Sequence, residues 1–186
     1  MIKTVLQKNI ILLTLLILAL TGCSTSSKTT TIVGGEYDEK KDVTNYFVLP
    51  YGSVELPGKW EKTTYYRTAR QQFFSNQDSA VIAIAFAPHN SFEFNGSGAL
   101  QGFDLVKAYT QWEGDYFKSN GFEFKLIESE PEQCYQIYRI WKDGVSDNYF
   151  LFGVKLQVKC YNFSVHGPTN WPEEKKVQFL KDLVVQ

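Results

Sequence analysis

Three kinds of hydrophobic pattern follow one another along the chain. The first is an apolar run from Ile10 to Leu20 in which only Thr14 is polar. It is too short to span a hydrocarbon core, which needs about 20 residues. The second is strand-like. Tyr46-Phe47-Val48-Leu49 predicts a short strand stopped by Pro50, and Val54 to Trp60 a turn-rich segment with one large anchor. Gln71 to Ser75 and Ala80 to Ala87 predict two strands joined across Asn76-Gln77-Asp78-Ser79. The continuous apolar run Val81 to Phe86 fits a central strand covered on both faces, ended by Pro88.

The third pattern has helical spacing. Leu105, Val106, Tyr109, Trp112, Tyr116 and Phe117 recur on one face of a helix over 103–119, with Asn120-Gly121 as its left-handed stop. Strand alternation then returns over Phe122 to Ile127, over Cys134 to Lys142, and over a long third strand from Asn148 to Val165 bent near Gly153. After the break at His166-Gly167-Pro168-Thr169, Asn170 is placed to cap a last helix. Glu173 and Glu174 fall in its first turn, and Val177, Leu180, Leu183 and Val184 form its buried stripe. Strands, helix, three-strand meander and helix together predict an α+β domain, an antiparallel sheet packed with helices.

The N-terminal run acquires a meaning from its flanks. Lys3 and Lys8 precede it, and Leu20-Thr21-Gly22-Cys23 follows it. A basic start, a short apolar core and small residues before a cysteine describe a cleavable secretory signal rather than a membrane span. The pattern resembles the lipobox of bacterial lipoproteins. That resemblance implies removal of residues 1–22 and lipidation of Cys23, which becomes the first mature residue. Several acyl chains on one residue anchor stably, since each buried methylene adds about 0.8 kcal/mol. A plain N-terminal membrane anchor with an incidental Cys23 is the alternative. Residues 23–44 are rich in Ser, Thr, Gly and charge and predict a flexible tether, with the folded domain over 45–186.

Composition narrows the partners. Net charge is −1; the first 22 residues hold two lysines and no acid, leaving 17 basic and 20 acidic residues after them. With no basic block beyond Lys40-Lys41 and Lys175-Lys176, nucleic acid is not expected. Of three cysteines, Cys134 and Cys160 remain after lipidation. If the hairpin turn centres on Gly144-Val145, Cys134 faces Lys155 and Cys160 points to the opposite face. A bridge, which needs Cα atoms within about 7 Å, would then require a bulge.

Catalytic signatures are missing from the sequence. His89 and His166 are the only histidines and sit beside strand ends, so neither a His-based metal site nor His catalysis is expected. In Asn95-Gly96-Ser97-Gly98 the glycines flank Ser97 at one position each, which is not a nucleophile elbow, and the 90–102 segment is expected to be a flexible loop. Glu113 and Asp115 cannot share a helix face. No cofactor or metal is expected. The aromatics Tyr65, Tyr66, Phe92, Phe94, Tyr149 and Trp171 remain as candidates, and Phe92, Phe94, Tyr149 and Trp171 form the expected binding surface.

Phe47-Val48-Leu49-Pro50, Leu56-Pro57-Gly58-Lys59-Trp60, the strand at 81–86, the helix near 103–119, the meander and the closing helix at 177–184 resemble the PsbP-like family, including small bacterial lipoproteins of the DcrB-like type. The resemblance implies an α/β/α sandwich and a non-enzymatic, binding or assembly-assisting role, and it transfers no catalytic residue. The leading expectation is a lipid-anchored envelope protein that binds a partner protein or supports assembly of a complex. A carrier or sensor of a small apolar or aromatic ligand, held between helix 103–119 and the sheet, is the second expectation. A hydrolase-type enzyme ranks third. Ser24 after the cysteine lacks an acidic retention signal, which points to the outer membrane rather than the inner one in a cell with both.

Overall fold

A computed structural model describes residues 30–167 and 170–184. The signal segment 1–22 and Cys23 lie outside the described residues. Among the described residues, eleven strands and two α-helices follow in chain order: β1 Ile32–Gly34, β2 Tyr37–Asp38, β3 Val43–Leu49, β4 Gly52–Pro57, β5 Glu61–Tyr66, β6 Gln71–Ser75, β7 Val81–Pro88, α1 Gly102–Ser119, β8 Glu123–Glu130, β9 Tyr135–Lys142, β10 Ser146–Lys155, β11 Lys159–His166 and α2 Glu173–Asp182. Two 3₁₀ turns, His89–Ser91 and Glu93–Asn95, lie between β7 and α1.

Seven strands make one antiparallel sheet in the order β5-β6-β7-β11-β10-β9-β8, and β3 holds a small sheet together, paired with β4 on one edge and with β1 and β2 on the other. The alternation that predicted the strands gives the large sheet two apolar faces. Ile82, Ile84, Leu151, Phe163 and Val165 pack against the small sheet and α2. Tyr138, Ile140, Phe150, Phe152 and Val154 pack against Leu105, Val106 and Tyr109 of α1. The fold is therefore α+β, with α1 on one face of the sheet and α2 with the small sheet on the other.

Where local signals were strong the elements fall as expected. The β6–β7 hairpin pairs Ser75 with Val81. At the end of α1, Gly121 has φ 77°, its N–H reaches the Lys118 carbonyl and the Phe122 N–H reaches that of Phe117. These are the paired bonds of a left-handed helix stop.

Several expectations are corrected. The tether does not run to residue 44, because β1, β2 and the start of β3 occupy Ile32 onward. Such short segments need little apolar surface when the edge of β3 supplies their backbone partners. Segment 54–60 is not only turn: Val54 and Leu56 are buried in β4 while Glu55 between them is not. The edge strand β5, exposed at every position, has no inside-outside alternation to announce it. Trp112 and Tyr116, expected in the stripe of α1, are exposed. The cap of α2 falls on Pro172 rather than Asn170.

The long strand 148–165 is two strands, β10 and β11, paired from Tyr149–Val165 to Lys155–Lys159. Leu156 and Gln157 turn the chain at φ 51° and 64° although neither is Gly, Asn or Asp. Bonds from distant chain hold the turn: the Gly102 N–H reaches the Gln157 carbonyl at 3.2 Å and the His89 N–H that of Val158 at 2.9 Å. Gly153 marks no bend. A Cβ there would lie 2.3 Å from Cζ of Tyr161, so the glycine makes room for that ring on the neighbouring strand.

Cys134 is not in a strand but in the turn before β9, at φ 54°, and Cys160 lies in β11 opposite Val154. Both thiols are free. Burial pushes the Cys160 thiol up to about 12. A maleimide should therefore label Cys134 in the native protein and Cys160 only after unfolding, as peptide mass mapping would show. Equal labelling of both in the native state would contradict this packing.

Candidate functional site: a cleft between α1 and the sheet

Helix α1 packs over β8, β9 and β10. The adjoining part of that face carries small side chains, since Ala83, Ala85 and Ala87 take the α1 side of β7 at alternate positions. A recess results. Its inner part, about 100 Å³, is lined by Ala85, Ala87, Phe152, Cys160 and Asn162. An outer part of about 450 Å³ is lined by Thr68, Arg70, Ser91, Glu93 and Trp112. Phe92, Tyr109 and Glu113 line both.

The segment between β7 and α1 supplies the roof. Instead of a free loop it is stapled by buried Asn95, whose Nδ2 donates to the carbonyls of His89 at 2.9 Å and Leu100 at 3.0 Å, while its Oδ1 accepts from the Leu100 N–H at 2.9 Å. This holds Phe92 and Phe94, both half-buried, against α1. Phe92 stands edge-on to Tyr109 at 5.0 Å and to Phe152 at 5.6 Å, Tyr109 stacks on Phe152 at 3.7 Å, and Phe94 meets Trp112 at 5.5 Å.

The other two members of the expected surface are elsewhere. Tyr149 is 2 % and Trp171 9 % exposed, and both lie in the core on the opposite side of the sheet. Strand parity decides this for Tyr149, which shares its face with Leu151. Its ring lies beneath Lys176 Nζ at 4.5 Å and its hydroxyl donates to Glu173 Oε2 at 2.8 Å. Trp171 packs edge-on to Trp60. Tyr65 and Tyr66 are exposed on β5. The expected surface thus reduces to Phe92 and Phe94.

The cleft's polar floor comes from residues not singled out as a group in the sequence. Tyr109 Oη donates to Glu113 Oε1 at 3.1 Å, and Tyr138 Oη from β9 donates to Glu113 Oε2. Asn162 Nδ2 from β11 donates to Tyr109 Oη at 2.9 Å. Burial raises the Glu113 carboxyl to about 7 despite the two hydroxyl donors, which pull it down. Both tyrosine hydroxyls are held well above their usual range by burial and by the carboxylate beside them. Asn162 Oδ1 is buried without a hydrogen-bond partner. Two signals were available in the sequence: Tyr109 and Glu113 lie at i,i+4 on a helix, and alanine recurs at every second position of β7.

A second polar pair, Ser164 Oγ and His166 Nε2 at 2.8 Å, has no access to this floor. Ser164 is 1 % exposed, neither residue lines the cleft, and burial depresses His166 to about 4. A larger cavity of about 480 Å³ opens on the other face beside Tyr51, Phe86, Leu156 and Leu183. Among the described residues it is lined by no carboxylate side chain. Among the described residues no helix is long and apolar enough to cross a membrane.

No family model and no curated protein matches the chain. A lone carboxylate tied to two phenols, beside an unpartnered amide oxygen and between aromatic walls, is equipped to bind and orient a small molecule.

Proposed function

We propose that this protein is a lipid-anchored binding protein of the cell envelope, held by acyl chains on Cys23, whose domain carries or senses a small molecule in the α1 cleft. One observation carries the ligand reading: an aromatic-walled recess of about 450 Å³ leads to the half-buried Glu113 carboxylate. A closed hydrophobic core would have filled that recess. The antiparallel sheet and the order of the helices support the resemblance to the PsbP-like family within this proposal.

Native mass spectrometry of the full protein extracted from membranes tests the reading. The wild type should carry an added small-molecule mass that Ala87→Phe, which fills the recess, has lost. Anchoring has its own test. Cys23→Ala should abolish acyl labelling and release the protein from the membrane fraction, and persistent labelling would rule out the lipobox.

Docking of a partner protein is a second reading, favoured by β5. Among the described residues that strand ends the large sheet, and it is exposed along its length, with Tyr65 and Tyr66 at the sheet edge. Photo-crosslinkers placed at Tyr65 should then capture one envelope protein. Capture at that edge with no mass in the cleft would favour this reading over the first.

A further inference from the structure

We infer that the α1 cleft takes a protonated amine carried on an apolar or aromatic body, with Glu113 as its counter-ion and Asn162 Oδ1 as a second acceptor. The inference rests on the ligand-binding reading above and names the chemistry of that ligand.

The donor and acceptor inventory of the floor leads to it. Tyr109 and Tyr138 each have one O–H, and both are spent on Glu113. The one Asn162 Nδ2 bond goes to Tyr109. One Asn162 N–H remains, and acceptors are in excess: the outer lone pairs of the carboxylate and Asn162 Oδ1, buried and without a donor. An ammonium has three donors and no acceptor, the complement of that set. An alcohol brings one donor and no charge, so it satisfies fewer of these acceptors than an ammonium, and an anion would meet the carboxylate.

Charge points the same way. A carboxylate removed from water is normally paired. Among the described residues no ion pair is formed by Glu113, although Lys41, Lys107, Arg139, Lys176 and Lys181 all pair with other acids. The phenols that hold it are neutral. Facing it are Tyr109 from its own helix, Tyr138 from β9, Asn162 and Cys160 from β11 and Phe92 from the 3₁₀ segment. Among the described residues, Arg70 and Glu93 are the other charged side chains lining the outer cleft. A cation delivered by the ligand would complete the floor.

Size and walls fit the same ligand. At roughly 30 Å³ per water-sized group, the inner part holds about three heavy atoms, an ammonium and its nearest carbons. Phe92 and Tyr109 line both parts of the recess with aromatic surface. The outer part then holds the body against Phe92 and Trp112.

Isothermal titration of the purified full chain with 2-phenylethylamine and with 2-phenylethanol, its neutral near-isostere, tests this. At pH 8 the amine should bind about tenfold tighter, the value of one charge-assisted hydrogen bond. Glu113→Gln should erase that preference while leaving the alcohol unchanged. Asn162→Leu, which keeps the carboxylate, should weaken the amine alone. The wild-type preference should grow as pH rises from 5.5 to 8 and Glu113 ionises. Equal binding of both probes, or a preference that survives Glu113→Gln, would overturn the amine assignment and leave the ligand-binding reading standing. If neither probe binds and the extracted protein carries no added mass, the ligand-binding reading falls and the amine goes with it.

Discussion

Trp60→Ala is expected to lower the free energy of unfolding by about 3–5 kcal/mol, the usual cost of emptying a large aromatic site in a core. Trp60 is 5 % exposed and lies just beyond β4. Its ring meets Phe179 of α2 at 5.7 Å and Trp171 at 6.4 Å, so one side chain ties the small sheet to the closing helix. Its backbone N–H donates to Thr44 Oγ1 at 2.9 Å and its Nε1–H to the Pro57 carbonyl at 2.8 Å. Alanine keeps the first bond, loses the second and leaves a cavity between layers. Native domains have only about 5–15 kcal/mol in hand, so the change removes a large fraction of the whole. Trp60→Phe should retain most of the packing and cost less, about 1–2 kcal/mol for the unpaired carbonyl and lost volume. Urea unfolding followed by circular dichroism measures both. A loss below 1 kcal/mol for Trp60→Ala would mean that residues 32–60 do not belong to the cooperative unit.

The second large effect is pH-dependent. Glu113→Gln is expected to make the protein more stable than wild type at pH 8, by about 3 kcal/mol, and to make no difference near pH 4. The sign follows from proton binding. The folded carboxyl keeps its proton up to about pH 7, whereas the unfolded one releases it near its ordinary value of 4.5. Between those values the folded state binds more protons, so this residue lowers stability progressively as pH rises. Above pH 7 its full cost is present, and below 4.5 it vanishes. His166 works in the opposite direction. Its folded value of about 4 lies below the ordinary 6.5, so its contribution raises stability as pH rises through that interval. The two slopes oppose each other over much of the same range, and the wild-type profile alone would hide both. The difference between wild type and Glu113→Gln at each pH isolates the carboxyl. A constant difference from pH 4 to 8 would show that Glu113 titrates as an ordinary surface acid.

The parts of the fold legible in the sequence are those with a local cause. Helix α1 has a period and a left-handed stop at Gly121, and both act within a few residues. Asn76 announces the β6–β7 turn because its side chain accepts from the backbone N–H groups of Asp78 and Ala80. The turn at Leu156-Gln157 carries no such signature. It is held by the chain at Gly102 and His89, far away in sequence, so no local pattern could reveal it. Strands β1, β2 and β5 were hidden for a related reason. An edge strand is stabilised mainly by its neighbour's backbone, which is indifferent to side-chain pattern. Within the site, Phe92 and Phe94 stood out as aromatics off the strand pattern. Glu113 did not, because its role needs Tyr138 from β9 and Asn162 from β11 beside it.

The sequence by itself determined the α+β class, the position of α1, the β6–β7 and β9–β10 hairpins, and the segment around Cys23 that motivates the anchoring proposal. Each follows from periodicity, turn chemistry or a short linear motif, which act over a few neighbouring residues. Only the tertiary structure decided that 148–165 folds back on itself and that Tyr149 and Trp171 are core. It also decided that α1 leaves part of its sheet face uncovered above Ala85 and Ala87. That last choice creates the cleft, and the burial it imposes on Glu113 sets the charge state of the carboxyl. Desolvation depends on what surrounds a group in space, and the residues surrounding Glu113 are drawn from α1, the segment before it, β9 and β11.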